Sequence, residues 1–587
     1  MRQTWLTLMA IAAVVLAVAW FATGSGPARQ LPAVPAAPAG SHVAGTIVVD
    51  LQDGASEADL QAVEQAIGAD LDWAHPLAVD EALAVGHVSD VAAALDVLSR
   101  LPGVEAAEPE MTFELGPEAM SVPDVAVPHA GFPNDPMYGK QWNLPAMGAP
   151  EGWRDTPQGK GVVVAVIDTG VTQVEDLKQT RVLKGATFVP DTKSAADDQG
   201  HGTHVAGTIA QSTNNGKGVA GVAPGATILP VKVLSAQGFG RSPWIAAGID
   251  YAVDEGADVI NLSLGGSYSP VIHNAIKKAR NKGVIVVAAA GNSGRKGVGW
   301  PGALEETIGV SALGPDGSLA PYSSWGKGVD IAAPGGDTRK VDGGILQDTV
   351  GPGGKGHRYA AFQGTSMATP HVAGAAAVLL STGMDPDEVE QRLLGSAQGT
   401  GSWDPKIGHG KLDLAGALAG HRGGGGMLRF LLGGVLALIL GRLAGARIGW
   451  LAGAAATAAF TAGGLFFLTW LPLPGHWSLT MLGTSVLEWP ALLGLGSWVH
   501  FPLWASAILP TVLAFVLGAW RPTRPLAMGF AAGIGAHLFH GAATGGLDPW
   551  WLGSSLGAIW LVGNATICVL IAMALAGTEK LDREAAS

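Results

Sequence analysis

A single cysteine, Cys568, is all that 587 residues contain. No disulfide can close within the chain, and no CxxC metal site exists. Charge is also scarce, at 14% of residues, and unevenly spread. Residues 420–587 hold eight Lys/Arg against five Asp/Glu, a net of +3, which leaves −16 for the first 419 out of a total of −13. An acidic soluble part without a basic tract argues against nucleic acid as a partner. Apolar residues are abundant instead, at 48%. A chain this long exceeds one hydrophobic core, so roughly three or four units are expected.

Arg2 precedes an uncharged run from Trp5 to Ala22, followed by Gly24-Ser25-Gly26-Pro27. This is the form of a secretory signal. A run of about 18 residues is also nearly long enough to stay as an uncut anchor. Residues 1–24 therefore read as a signal peptide or an N-terminal transmembrane anchor, and both place the residues after them outside the membrane. Residues 25–44, rich in Pro and Ala, read as a linker.

Residues 45–115 read as a small α+β unit. GTIVVDL (45–51) is strand-like, Ser56 can cap a helix carrying Leu60, Val63 and Ile67 inward, and Gly68 stops it. A second helix follows Ser89, with Val91, Leu95, Leu98 and Leu101 inward, ending at Pro102-Gly103. The order β-α-β-β-α-β is the ferredoxin-like split βαβ arrangement. After a 116–132 linker, residues 133–418 alternate continuous apolar runs with helical stretches: GVVVAVID, ATILPVKVL, ADVINLSLGG, GVIVVAAAGN and GVDIAAPG. Such runs predict an α/β unit, a parallel sheet with helices on both faces. His421–Gly426 (HRGGGG) is expected to close it.

Three segments carry chemistry. VAVIDTGV sets Asp168 at the carboxyl end of a buried strand, GHGTHVAGTIA sets His201 at the head of a helix, and GTSMATPHVAGAAAVLL does the same for Ser366. Function collects at strand carboxyl ends in open α/β sheets, so the three can converge. A serine hydroxyl is a weak nucleophile until an imidazole takes its proton. A buried carboxylate then fixes the imidazole tautomer and stabilises the imidazolium. Asn292, in VVAAAGNSG, can offer a side-chain amide to the oxyanion.

These segments, with NLSLGG, GVAPGATILPVKVL and YSSWGKGVDIAAPG, resemble the subtilase family, especially its thermitase-like branch, over Pro133 to Leu414. The order Asp…His…Ser is that of subtilisin. The resemblance implies a subtilisin-like sheet and a serine endopeptidase with Asp168, His201, Ser366 and Asn292 as its catalytic set. His204 and His371 are then structural. It implies that peptide substrates bind as an added strand between Gly238-Phe239-Gly240 and Ser263-Leu264-Gly265. It also implies that residues 45–115 are an inhibitor-type propeptide, matched by the Gly103-Val104-Glu105 turn and Glu108-Pro109. Such a unit assists folding, blocks the cleft and is removed by the enzyme itself, here between Leu115 and Asn134. QSTNNGKGVAGVAP resembles the family's structural calcium loop, with Asp135, Asp176, the Asn215 side chain and the carbonyls of Ser212, Lys217 and Val219 as ligands. The alternatives are an accessory domain that stays attached and a plain polar turn.

Beyond Gly426 the chain reads as an all-α transmembrane bundle over 427–576, with a cytoplasmic tail at 577–587. Candidate spans are Met427–Leu443, Ile448–Leu471, Val499–Trp520, Leu526–Thr544 and Leu552–Ala576. Trp450, Trp470, Trp520, Trp550 and Trp551 sit near their ends, as interfacial aromatics do. With the catalytic domain outside, the cytoplasmic ends carry Arg442, Arg447, Arg521, Arg524, Lys580 and Arg583, and the outer loops 472–498 and 545–551 carry no Lys or Arg. That is positive-inside. Membrane lipid is therefore an expected partner, and the expected location is multi-pass in a bacterial plasma (inner) membrane, with the protease on the extracytoplasmic side. His537 and His540, one turn apart in the fourth span, form an incomplete metal set. Two rival readings remain: an inactive subtilase-like binding module, and a membrane region with a transport or sensing role of its own.

Overall fold

A computed structural model describes residues 42–78, 81–115, 120–121, 133–153, 156–399, 401–443, 448–465, 482, 485–486, 506–544 and 554–585. The signal or anchor, nearly all of the 25–44 linker, most of the 116–132 linker and most of the expected outer loops lie outside the described residues, with Arg447, Trp470, Trp550 and Trp551.

The N-terminal domain runs β1 (His42–Leu51), α1 (Glu57–Ile67), β2 (Leu71–Trp73), β3 (Leu83–His87), α2 (Val91–Leu98) and β4 (Val104–Glu114). Its strands pair antiparallel in the order β4-β1-β3-β2, the split βαβ topology. Ser56 and Asp59 form a capping box on α1, and Gly68 ends that helix in the left-handed conformation. Asp90 caps α2, which ends at Leu98, short of the expected Leu101. The period of two along β1 splits its side chains. Ile47, Val49 and Leu51 face α1 and α2, while Val48 joins the core of the next domain.

After β5 (Met120–Ser121) the catalytic domain contributes β6 (Val163–Asp168), β7 (Ala186–Thr187), α3 (His201–Ala210), β8 (Thr227–Lys232), β9 (Phe239–Arg241), α4 (Ser242–Asp254), β10 (Val259–Leu262), β11 (Gly265–Gly266) and α5 (Pro270–Asn281). It continues through β12 (Ile285–Ala289), β13 (Ile308–Leu313), β14 (Ile331–Pro334), β15 (Ile345–Val350), β16 (His357–Phe362), α6 (Thr365–Leu380) and α7 (Pro386–Gly395). Seven parallel strands stand in the order β14-β13-β12-β10-β6-β8-β7. Central β6 shows why its run is apolar throughout. Val164 and Val166 pack towards α3 and α6, Ala165 and Ile167 towards α4 and α5. The apolar-run reading did not single out β13 or the antiparallel hairpin β15–β16. Their runs are short and interrupted by Gly309 or by the polar Gln347, Asp348 and Thr349, which tertiary packing buries.

The C-terminal region consists of α8 (Leu414–Leu443), α9 (Ile448–Gly463), α10 (Ile508–Gly518), α11 (Arg524–Thr544) and α12 (Ser554–Glu584). HRGGGG does not close the catalytic domain; α8 runs through it. Each glycine inside a helix costs about 1 kcal/mol against alanine. Packing at both ends offsets this: Leu414 and Leu418 lie in the catalytic core with Trp153 and Leu393, and Ala437 and Leu440 lie in the helical bundle. Within the third expected span the described helix, α10, has eleven residues, and α12 continues eight residues past Ala576. Among the described residues, two segments are long and apolar enough to cross a membrane, Arg521–Ala543 and Ile559–Thr578.

Candidate active site

Asp168 ends β6, and α3 begins at His201. His201 Nδ1 lies 2.7 Å from Asp168 Oδ1, with both side chains buried. Gly202 permits this approach, because a Cβ there would stand 2.1 Å from the Gly170 carbonyl and 3.1 Å from Asp168 Oδ1. Two groups that the sequence reading missed hold the pair. Asp197 accepts from Thr169 Oγ1, Gln199 N and Gly200 N through one oxygen, and from Thr203 N and Oγ1 through the other. Lys232, buried at the end of β8, donates to the Thr169 carbonyl at 2.6 Å and to Asp198 at 2.8 Å. The available signals were an Asp four residues before His201 and a Lys inside an apolar strand.

Ser366 heads α6, its Oγ 3.4 Å from the Ser263 carbonyl; Ser263 Oγ donates in turn to the Ser366 carbonyl at 2.8 Å. Asn292 follows β12. Its Oδ1 accepts from Thr365 N and Thr365 Oγ1, both at 2.9 Å, so its amide nitrogen is the end left for other work. The other histidines are committed elsewhere. His204 bonds the Ile345 and Ala360 carbonyls and stacks on Phe362, and burial pushes its pKa down to about 3. His371 bonds Asn143 and the Met367 carbonyl, and burial brings it down to about 4.

The cleft is filled by the chain itself. The end of β4 lies antiparallel between β9 and β11: Thr112, Phe113 and Glu114 pair with Arg241, Gly240 and Phe239, while Phe113 and Glu114 pair with Gly266 and Gly265. Leu115 N then donates to the Gly238 carbonyl at 3.0 Å. Met120 and Ser121 pair with Phe362 and Ala361 of β16. Gly238, Phe239, Gly240 and Gly265 thus meet the inserted strand directly. Ser263 instead touches Ser366, and Leu264 is buried in the core. Gly266 is a further contact that the sequence reading did not name.

The expected calcium ligands gather in part. Asp135 and Asp176 are both buried. Asp135 accepts from Asn214 N and Asn215 N, and Asp176 accepts from Val219 N and the Asn215 amide nitrogen. Burial, reinforced by the charges of Asp348 and Asp135, raises Asp176 to about 7. Buried carboxylates that repel one another fit a cation of oxygen-ligand chemistry. Asn215 departs from the expectation, since its oxygen accepts from Lys217 N and would have to turn to face a metal. Ser212 Oγ accepts from Gln179 N and Thr180 N, and Lys217 Nζ pairs with Glu175. The described residues hold no metal-binding group of three or more His, Cys, Asp or Glu, so ligation would lean on main-chain carbonyls.

A buried Asp–His pair, a serine at a helix head and a strand-accepting cleft on a doubly wound parallel sheet define a serine endopeptidase. The chain matches the Subtilase family over residues 159–410, the Fervidolysin N-terminal prodomain over 28–110, and a Domain of unknown function (DUF5942) over 428–582. It is 36% identical to Thermophilic serine proteinase of Bacillus sp. (strain AK1), over 62% of this chain and 85% of that protein. It is 38% identical to Thermitase of Thermoactinomyces vulgaris, over 46% of this chain and 94% of that one. Among solved structures, fervidolysin from Fervidobacterium pennivorans, a keratinolytic enzyme related to subtilisin, superposes with a TM-score of 0.55 at 29% identity, covering 65% of this chain and 62% of that one. The chain belongs to the subtilase family and carries a fervidolysin-like prodomain.

Proposed function

We propose that this endopeptidase cleaves peptide bonds through Asp168, His201 and Ser366, with Asn292 at the oxyanion. The observation that carries the reading is the 2.7 Å contact between Asp168, at the carboxyl end of β6, and His201, at the head of α3. Asp168 keeps the proton on His201 Nδ1, leaving Nε2 to take the Ser366 proton as Oγ attacks the peptide carbon. The Asn292 amide and the Ser366 N–H stabilise the oxyanion. Collapse breaks the C–N bond, and His201 returns the proton to the leaving amine. Water, deprotonated by His201, then releases the acyl group from Ser366.

The prodomain acts as the enzyme's own inhibitor, its tail lying where a substrate strand would lie. The cleaved bond falls between Leu115, which pairs on one side of the cleft, and Met120, which pairs on the other. Asp135, Asp176, Asn215 and the carbonyls of Ser212, Lys217 and Val219 would hold a structural calcium ion, whose charge would offset that of the buried carboxylates. It takes no part in the reaction.

Residues 427–576 hold the protease at the outer face of a lipid bilayer. In support, every large apolar side chain exposed among the described residues, apart from Leu77, Phe239, Val341 and Trp403, lies at or beyond Leu428. Exposed apolar stripes of this extent suit lipid rather than water.

The test is expression of wild type beside Ser366→Ala, with size, N-terminal sequencing and cleavage of unfolded casein. Wild type should mature within 115–120 and cut casein, and Ser366→Ala should do neither. Equal unprocessed length and no casein cleavage in both would reject the protease site. Release of the mature enzyme from membranes by alkaline carbonate would reject the anchor.

A further inference from the structure

Phe113, in the strand that fills the cleft, is only 1% exposed. Together with Tyr268, Ser269, Ile272, Trp300, Pro301 and Leu304, it lines a small pocket. Gly266 forms the floor: a Cβ there would stand 2.6 Å from Phe113 Cδ1, so only glycine lets the ring sit this close. The Tyr268 wall has a polar support of its own. The Tyr268 ring stands edge-on to Trp300, with centroids 4.9 Å apart, and its phenol lies 3.0 Å from His273 Nδ1. His273 Nε2 in turn lies 3.0 Å from Glu306 Oε2.

The chemistry sets the direction of this relay. A carboxylate only accepts, so the proton of a neutral His273 sits on Nε2, leaving Nδ1 to accept from the Tyr268 hydroxyl. Burial of His273 lowers its pKa from the ordinary value and favours that neutral form. Tyr268 lies on the short connection between β11 and α5, where packing alone fixes a side chain less firmly than inside a strand. The hydrogen bond fixes its hydroxyl end while Trp300 meets its ring. His273 stands on the first turn of α5, so the wall is tied to a helix rather than to the loop.

We propose that His273, oriented by Glu306, is a positioning residue for substrate selection. It holds the Tyr268 ring as a wall of the Phe113 pocket, and so sharpens the discrimination of an aromatic from a small residue at that place. The inference rests on the reading of the cleft as the substrate site. His273 touches no reacting atom, and its effect passes through Tyr268.

The test uses mature enzyme and two synthetic peptides, residues 108–115 and the same peptide with Ala in place of Phe113, as inhibitors of casein hydrolysis. Burial of a phenylalanine ring against alanine should make the first bind about ten- to hundredfold tighter to wild type. His273→Ala should shrink that ratio about three- to tenfold, the range of one partly buried hydrogen bond. Tyr268→Phe, which removes a single oxygen, should do the same, and the double variant no more than either. His273→Gln, which can still accept from the phenol, should keep most of the preference. Equal inhibition by the two peptides, or a ratio unchanged in both single variants, would overturn the proposal. A wild type that cuts no casein would overturn the cleft reading and this inference with it.

Discussion

His201 Nδ1 meets Asp168 Oδ1 at 2.7 Å, and neither side chain is open to water. Replacing Asp168 by Asn keeps the shape but allows the wrong imidazole tautomer. Turnover should fall about 10⁴-fold, as it does for the corresponding change in a trypsin-type triad. Burst kinetics on an activated ester should show acylation as the damaged step. Activity within tenfold of wild type would remove Asp168 from the triad.

Asn292 is clamped through its oxygen by Thr365, so its amide nitrogen is oriented before substrate arrives, as the proposed oxyanion role requires. Asn292→Ala should lower kcat by about 10²–10³ with a smaller change in KM; that is the known value for the oxyanion-hole asparagine of subtilisin itself. An effect confined to KM would mean that Asn292 binds substrate rather than the transition state.

Gly202→Ala should separate the Asp–His pair, because the added carbon meets a main-chain oxygen at 2.1 Å and no flexible side chain can yield. Casein hydrolysis by the otherwise wild-type enzyme should drop, and the thermal midpoint, read in the Ser366→Ala background, should fall by several degrees. A variant of wild-type stability and rate would show that α3 can shift freely.

Prodomain docking should weaken as pH rises. Glu108, buried at the domain boundary with Oε1 on Ser269 Oγ and Oε2 without a partner among the described residues, is pushed up to about 7 by desolvation. Asp50, beside Asn274, Lys278, Glu105 and Asp53, is pushed up to about 6 for the same reason. Acids raised in the docked state bind more protons there than when released. Docking is therefore at full strength below the ordinary values of 4.5 and 3.8, and is lost progressively as pH climbs through 6 and 7. Limited proteolysis of uncleaved Ser366→Ala protein from pH 4.5 to 8 should show increasing prodomain release. Glu108→Gln, fixed in the neutral form, should flatten that dependence, and a curve that stays as steep would discard Glu108 as its source.

Removing calcium with a chelator should lower the thermal midpoint, because Asp135 and Asp176 then lose their counter-charge. Asp176→Asn should lower the chelator's effect by relieving the repulsion with Asp348 and Asp135. A midpoint indifferent to chelator would remove the metal from the loop.

Where the candidate site residues stand in the fold could largely be read from local pattern. Asp168 ends an apolar run, and His201 and Ser366 open helices, so their positions follow from strand and helix periodicity with short motifs. Asp197 and Lys232 were not legible, because their importance lies in main-chain groups that folding brings to them. The pocket around Phe113 was hidden for a related reason. Its walls come from β11, α5 and the segment around Trp300, and no sequence spacing joins them.

By itself the sequence determined the layers. Alternation, apolar runs and caps are short-range properties, and they specify a split βαβ unit, a parallel sheet and a run of apolar helices. Only the tertiary structure decided the relations between those layers: the tail of β4 between β9 and β11, the relay from Tyr268 to Glu306, and the continuity of α8 through four glycines. These depend on surfaces distant in sequence, where the energy of packing exceeds any local preference of the chain.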